Sequence, residues 1–281
     1  MEGDGLLKKV TLNDGYKMPM FGLGVFTFLV KGESLPAAKC ALRTGYRMID
    51  TAAYYENEDE VGQAIMESGV KREEIFVVTK LTNNAHGYDE CLKAFHESLK
   101  RLGLSYVDLY LIHSPAPGKN VDSYRAMMKL KEQGLIRSIG VSNFGVNHLQ
   151  EMEKAGLPTP AVNQIELNPY WRLEEVVNYC KEKGIAPMGY CPIFRGRKND
   201  DPTLVKMAKR YNKSVPQLFI RWSVQKNYIT IPKSSKPERI QENADVFDFS
   251  ISDDDMKTLD ALPSEQCCTV LRDITNCPWR G

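Results

Sequence analysis

The stretch Tyr46-Arg47-Met48-Ile49-Asp50-Thr51-Ala52-Ala53-Tyr54-Tyr55-Glu56 decides how this chain is read. Gly45 closes the helical pattern in front of it, as glycine commonly does at a helix C-terminus. Met48-Ile49 is a short apolar run and reads as a buried strand. The strand stops at Asp50, a carboxylate that is costly to bury unless something pairs it. A phenol, Tyr55, follows five residues later. Two later apolar runs also end on polar groups: Glu74-Ile-Phe-Val-Val-Thr-Lys80 in a lysine, and Val107-Asp-Leu-Tyr-Leu-Ile-His113 in a histidine. An acid, a cation, a phenol and an imidazole thus stand at or just beyond the ends of successive strands.

Outward from this stretch the pattern repeats. Asn13-Asp14-Gly15 is a turn signal between residues 8–11 and 16–20, so a small hairpin precedes the main fold. Phe21-Gly-Leu-Gly-Val25 is the first strand of the repeat. Helices are expected at 36–44, 58–67, 89–102, 121–133, 146–155 and 173–183, then at 203–211, 215–226, from 237, and at 252–262. Strands are expected at 74–80, 107–113, 136–143, 161–167, 185–192 and 228–233. Strands alternating with helices imply a parallel sheet. Eight such units without a linker predict one α/β domain over residues 1–281, a single (β/α)8 TIM barrel with an N-terminal hairpin and a short C-terminal extension. The competing open sheet would carry G-x-G-x-x-G. Here Gly22-Leu-Gly24 is followed by Thr27 where the third glycine belongs. In a closed barrel, catalytic groups sit at the C-terminal ends of strands, where Asp50, Lys80 and His113 fall.

Composition narrows the function. The chain has 281 residues, 42% hydrophobic and 26% charged, with a formal net charge of +1. That balance gives no field for nucleic acid or an anionic membrane. No apolar run is long enough to span a bilayer, and the N-terminus lacks a signal-peptide core. The seven cysteines are scattered without a C-x-x-C spacing. They read as free thiols of a reducing, cytoplasmic compartment, with the adjacent Cys267-Cys268 pair incidental. Only four histidines occur, and none is spaced for a metal-dependent hydrolase; no metal is expected.

A phenol near an ammonium is expected to have a lowered pKa. Lys80 would act so on Tyr55, with Asp50 holding Lys80 in place and charged. Such a tyrosine suits a general acid for a carbonyl becoming an alcohol, and His113 can orient the same oxygen. None of the four donates hydride, so a cofactor must. A structural reading of the same residues makes Asp50–Lys80 a satisfied ion pair and Tyr55 a rim aromatic.

The residues also carry a resemblance. Gly45-Tyr-Arg-Met-Ile-Asp-Thr-Ala-Ala-Tyr-Tyr-Glu-Asn57-Glu58, Leu109-Tyr-Leu-Ile-His113, Gly140-Val-Ser-Asn-Phe144 and Ile231-Pro-Lys-Ser234 resemble the aldo-keto reductase family, from the hairpin to about residue 262. The resemblance is to members of the aldose reductase and prostaglandin F synthase kind. It implies a barrel and reduction of small carbonyl substrates with NADPH/NADP+, an NADPH-dependent carbonyl reductase or alcohol dehydrogenase (NADP+) acting as a monomer. The family tetrad falls on Asp50, Tyr55, Lys80 and His113. Ser142, Asn143 and Gln164 resemble the residues that hold the nicotinamide carboxamide, and Tyr190 the ring stacked on it. Lys233, Ser234 and Arg239 match the clamp on the 2'-phosphate, a natural role for cations. Glu242 and Asn243 match the adenine site. Gly24, Val25, Cys191, Ile193 and Ser235 complete the implied cofactor lining.

Departures from the family concern the substrate side. Phe26, Thr82 and Ser114 stand where tryptophan is common, Asn168 replaces a histidine and Cys191 a serine. With Tyr54 and Trp279, the positions Phe26, Thr82 and Ser114 are the expected substrate contacts. In the segment 194–201, Arg195, Arg197 and Lys198 are candidates for the cofactor phosphates. A non-catalytic NADPH-binding sensor or regulatory member of the same fold is the alternative function.

Overall fold

A computed structural model describes residues 5–26 and 31–268; Trp279 and Cys277 lie outside the described residues. A hairpin of β1 (Lys9–Thr11) and β2 (Lys17–Pro19) comes first. The barrel strands follow: β3 (Leu23–Gly24), β4 (Met48–Asp50), β5 (Phe76–Leu81), β6 (Val107–Ile112), β7 (Ile136–Ser142), β8 (Val162–Glu166), β9 (Ala186–Tyr190) and β10 (Ile229–Ile231). They form one parallel eight-stranded sheet in sequence order. The ends meet: Phe21 bridges Thr230, Gly24 bridges Lys233, and the Gly24 N–H donates to the Pro232 carbonyl at 3.1 Å. This is the expected (β/α)8 barrel.

The interstrand helices are α1 (Ser34–Thr44), α2 (Glu58–Glu67), α3 (Tyr88–Leu102), α4 (Asn120–Glu132), α5 (Val146–Lys154) and α6 (Glu174–Glu182). Two helices, α7 (Pro202–Arg210) and α8 (Val215–Gln225), separate β9 from β10, and α9 (Pro237–Ala244) and α10 (Asp253–Asp260) complete the described chain. Local chemistry explains their bounds. Gly45 ends α1 in the left-handed conformation, φ 108°, which a side chain would resist. Helix α2 opens on Glu58, Asp59 and Glu60, favourable at a helix N-terminus, and buries Val61, Ala64 and Ile65 on one face. Gly62 lets α2 meet α3, because a Cβ there would lie 2.1 Å from the Leu102 carbonyl oxygen. Ser252 caps α10 by accepting from the Asp255 N–H. Residues 72–74 form a 3-10 turn instead of a strand start, so β5 begins two residues later than expected.

Strand alternation positions the site. One apolar layer, containing Met48, Val78, Leu109, Leu111, Val162, Met188, Ile229 and Ile231, fills the barrel interior, with Leu12 and Met18 of the hairpin segment packed beneath. A larger layer fills the space between sheet and helices. Side chains two residues apart share a face. Asp50 therefore follows Met48 into the barrel, Lys80 follows Val78, His113 follows Leu111, Gln164 follows Val162, and Tyr190 follows Met188. At the N-terminal ends of the strands the buried charge is structural: Asp108 accepts from Arg72 at 2.7 Å and from Arg137 at 3.0 Å.

Candidate active site

The inward ends of β4, β5 and β8 bring one polar cluster together. Lys80 is 0% exposed and Asp50 2%. The Lys80 Nζ donates to Asp50 Oδ1 at 2.7 Å and to the Thr51 carbonyl at 2.8 Å. Gln164 Nε2 donates to Asp50 Oδ2 at 2.7 Å, so both carboxylate oxygens are satisfied. Tyr55 sits on a 3-10 turn, Ala53–Tyr55, just past β4. Its hydroxyl lies 3.3 Å from Lys80 Nζ, and its ring packs edge-on against His113 with centroids 5.5 Å apart. Tyr54 points elsewhere on the same rim and is 42% exposed.

What fixes the turn is Asn57, a buried residue to which the sequence alone assigns no role. It accepts from the Thr51 hydroxyl at 2.6 Å and donates to the Val25 carbonyl at 2.8 Å and to Ser34 Oγ at 2.7 Å. One amide thereby ties the end of β3, the end of β4 and the start of α1 around Tyr55. The next residue, Glu58, accepts from Thr79 Oγ1 at 2.5 Å and from Arg101 Nε at 2.8 Å, which anchors α2 to β5 beside Lys80.

The phenol does not titrate as the sequence suggests. Burial pushes the Tyr55 pKa well above its ordinary value, and the Asp50 carboxylate, then Cys191 and Cys268, push the same way. The direction is upward even with the Lys80 ammonium 3.3 Å from the hydroxyl, because that ammonium is itself paired to the Asp50 carboxylate at 2.7 Å. Burial likewise raises Asp50 against the pull of Lys80 and Gln164, and lowers Lys80 against the pull of Asp50. His113 is lowered to about 3 by burial first and the Lys80 charge second. The cluster at neutral pH therefore holds a protonated phenol and a neutral imidazole. Both can donate a hydrogen bond.

A cleft of about 980 Å³ opens above this cluster. Asp50, Tyr55 and His113 line its floor, with Phe26 and Tyr54 on one side. Ser142, Asn143, Gln164 and Tyr190 form the adjoining wall and are bonded into one unit. Ser142 Oγ donates to the Gln164 carbonyl at 2.8 Å, Asn143 Nδ2 to the His113 carbonyl at 2.9 Å, and the Tyr190 hydroxyl to Asn143 Oδ1 at 2.9 Å. At the far end lie Lys233, Ser234, Ser235, Arg239, Glu242 and Asn243. Tyr46 positions this end, because its buried hydroxyl donates to the Ile240 carbonyl of α9 at 2.8 Å. Gly24, Cys191 and Ile193 also line the cleft, whereas Val25 is buried outside it.

Asn143, Cys191 and Arg195 all adopt the left-handed conformation, φ 61°, 51° and 54°; asparagine tolerates it, whereas the cysteine and the arginine do so at a cost on the order of 1–2 kcal/mol per residue. All three line the cleft. Backbone strain of this kind gathers at functional sites, and no local sequence signal announces it at a cysteine or an arginine. Of the three basic residues in the 194–201 segment, only Arg195 lines the cleft; Lys198 pairs with Glu265 at 2.8 Å.

On the substrate side the structure separates the expected contacts. Phe26 lines the cleft and packs on Tyr55 with ring centroids 4.8 Å apart. Thr82 is half-buried ahead of a 3-10 turn, Asn83–Ala85, and does not line the cleft. Ser114 is 1% exposed and outside the lining; its carbonyl faces His86 Nε2 at 3.0 Å. Alternation explains this: Ser114 follows the inward His113 and turns to the other face. Asn168 is a structural residue, accepting from the Tyr170 N–H at 3.0 Å. The Cys267-Cys268 pair is not incidental, since Cys268 lines the cleft beside Cys191.

The sequence pattern of the aldo/keto reductase family matches residues 20–263. Glyoxal reductase of Bacillus subtilis is 48% identical over 257 residues, covering 92% of this chain and 93% of that protein. The 9,11-endoperoxide prostaglandin H2 reductase of Trypanosoma cruzi is 43% identical over 260 residues, 92% of each. Among solved structures, a Bombyx mori aldo-keto reductase in complex with NADP superposes with a TM-score of 0.86 at 37% identity, over 95% of this chain and 97% of that one. MGS-M4, an aldo-keto reductase from a deep-sea metagenome library, superposes with a TM-score of 0.88 at 43% identity, over 92% and 96%. With the barrel and the cleft described above, these matches define the class: the chain belongs to the aldo/keto reductase family, a family of oxidoreductases.

Proposed function

We propose that this protein reduces aldehydes and ketones to alcohols with NADPH, Tyr55 serving as the general acid. One observation carries the reading: the protonated Tyr55 hydroxyl, 3.3 Å from Lys80, shares a single cleft with the cations Lys233 and Arg239. The lining fits a dinucleotide. Its polar wall of Ser142, Asn143 and Gln164 suits a carboxamide, the Tyr190 ring suits a flat heterocycle, and the exposed Lys233 and Arg239 suit a phosphate. When bound there, NADPH supplies the hydride. The protein's own residues do the rest. Tyr55 and His113 both donate to the carbonyl oxygen, which polarises it toward attack. As negative charge develops on that oxygen, Tyr55 delivers its proton, and Lys80, held by Asp50, stabilises the phenolate left behind. Phe26 and Tyr54 supply apolar contact for the substrate.

The test is aldehyde-dependent oxidation of NADPH by purified protein, with glyoxals, aromatic aldehydes and prostaglandin-type ketones compared over a range of pH. With His113 lowered to about 3 and Tyr55 raised, neither acid nor orienting group changes form near neutrality. The chemical step should be independent of pH between about 5 and 8 and decline only as pH approaches the raised phenol value. Activity that falls as pH rises through the ordinary histidine value of about 6.5 would mean that His113 works charged, against this reading. A protein that binds NADPH but oxidises it with none of these carbonyls would be a sensor instead.

Cofactor choice gives a second test. Arg239 lines the cleft and makes no ion pair among the described residues. Losing one charge-assisted contact costs on the order of 1.5–3 kcal/mol. Arg239→Ala should weaken NADPH about ten- to hundredfold and leave NADH almost unchanged. Equal losses for both would move Arg239 from the 2'-phosphate to a group the two cofactors share.

A further inference from the structure

Three sulfurs converge on the wall of the cleft. Cys191 follows β9, and Cys267 and Cys268 arrive from 76 and 77 residues further along the chain. The Sγ atoms of Cys191 and Cys268 lie 2.9 Å apart, those of Cys267 and Cys268 3.8 Å, and all three lie within 4.8 Å of one another. The arrangement is built. Buried Glu166 accepts from the Cys267 N–H at 2.9 Å and from the Cys268 N–H at 3.1 Å. The Glu265 N–H donates to the Tyr170 carbonyl at 2.8 Å. These bonds hold the segment against the barrel. Cys191 and Cys268 both face the cleft, whereas Cys267 does not line it.

From this geometry we infer that Cys191 and Cys268 are a redox pair, closing to a reversible disulfide when a small hydroperoxide enters the cleft. The thiolate is the reacting form. Hydrogen bonds from Cys267 and Cys268, together with the Arg195 guanidinium, hold the Cys191 thiol well below its ordinary pKa. Cys268 is pushed up, first by its bond to Cys191, and remains a thiol.

In the first step the Cys191 sulfur attacks the outer peroxide oxygen. An S–O bond forms, the O–O bond breaks, and the alkoxide leaves as an alcohol after taking a proton from water. Cys191 becomes a sulfenic acid. In the second, the Cys268 sulfur attacks that of Cys191. The S–S bond forms, the S–O bond breaks, and hydroxide leaves as water with the Cys268 proton. Two thiols are oxidised by two electrons and one hydroperoxide is reduced to alcohol and water. The bond would pin the residues after α10 to the end of β9 and remove the anionic partner of Arg195.

A thiophilic metal is the competing occupant of three sulfurs. Ligands about 2.3 Å from a tetrahedral ion stand well over 3 Å apart, which the 2.9 Å contact does not match. The Arg195 cation beside Cys191 also opposes it.

The inference stands on the sulfur geometry and not on the reductase reading, so its test reads mass and not turnover. Fully reduced protein, assayed for bound zinc and copper, is exposed to hydrogen peroxide, alkylated and digested. The expected result is a peptide linking Cys191 to Cys268, lost on treatment with dithiothreitol. In Cys268→Ser, dimedone should label Cys191 as a sulfenic acid. The inference is overturned if Cys191 and Cys268 both remain alkylatable after exposure, if the link joins Cys267 to Cys268 instead, or if the thiols are blocked by stoichiometric metal.

Discussion

Tyr55→Phe is expected to lower carbonyl reduction by about 10²–10⁴-fold, the range set by loss of a general acid, with little change in NADPH affinity. The ring stays, so its packing on Phe26 and on His113, with centroids 4.8 Å and 5.5 Å away, is kept. Lys80 loses one neighbour at 3.3 Å but retains Asp50 at 2.7 Å and the Thr51 carbonyl at 2.8 Å. The loss should therefore lie in kcat and leave folding intact. Tyr54→Phe is the control, because that phenol is 42% exposed whereas the Tyr55 hydroxyl lies 3.3 Å from Lys80 Nζ. Normal turnover in Tyr55→Phe combined with an inactive Tyr54→Phe would assign the acid to the wrong phenol. A small loss in both would shift the proton to His113.

Lys80→Met is expected to destabilise the fold by about 3–5 kcal/mol, the usual cost of stranding one member of a buried ion pair. Methionine fills the volume of the lysine stem but leaves the Asp50 carboxylate with the Gln164 amide alone. The cost should depend on pH. Asp50 already has a raised pKa, and Lys80 is one of the groups that oppose the rise. Without Lys80 the folded-state value climbs further above the unfolded one. A raised carboxyl is favourable below its unfolded value and loses stability as pH rises through the range above it. The variant should therefore approach wild-type stability in acid and fall away from it toward neutrality. Asp50→Asn combined with Lys80→Met should recover much of the loss, since removing both charges leaves neither stranded. Urea unfolding at several pH values measures all of this. A penalty below about 1 kcal/mol, the size of a surface pair, would mean that water reaches Asp50 once Lys80 is gone.

Why the fold is legible in the sequence, and the site only partly, follows from the kinds of signal involved. Helix α2 spans Glu58–Glu67 as expected, because acidic residues open it and the apolar spacing is regular. Asp50, Lys80 and His113 could be read as inward groups because each follows an apolar strand whose period is two. The same alternation removes Ser114 from the cleft, a consequence that counting from His113 could have shown. Other features have no local signal. Asn57 binds three segments through one amide, and only the folded chain brings them together. The three-sulfur cluster joins residues 77 apart in sequence. The Tyr55 pKa is set first by burial and then by the Asp50 carboxylate, so naming the nearest cation predicts the wrong direction.

Hydride is expected to pass directly from a nicotinamide in this cleft to a carbonyl carbon while Tyr55 protonates the oxygen. The most direct test uses NADPH deuterated on one face of the transferring carbon, with an aldehyde the protein turns over, and reads the alcohol by mass spectrometry. One face of the cofactor should deliver its deuterium to the former carbonyl carbon, one alcohol for each NADPH consumed, and the opposite face should deliver none. Alcohol that carries no deuterium from either face, or cofactor oxidised without alcohol formed, would contradict it.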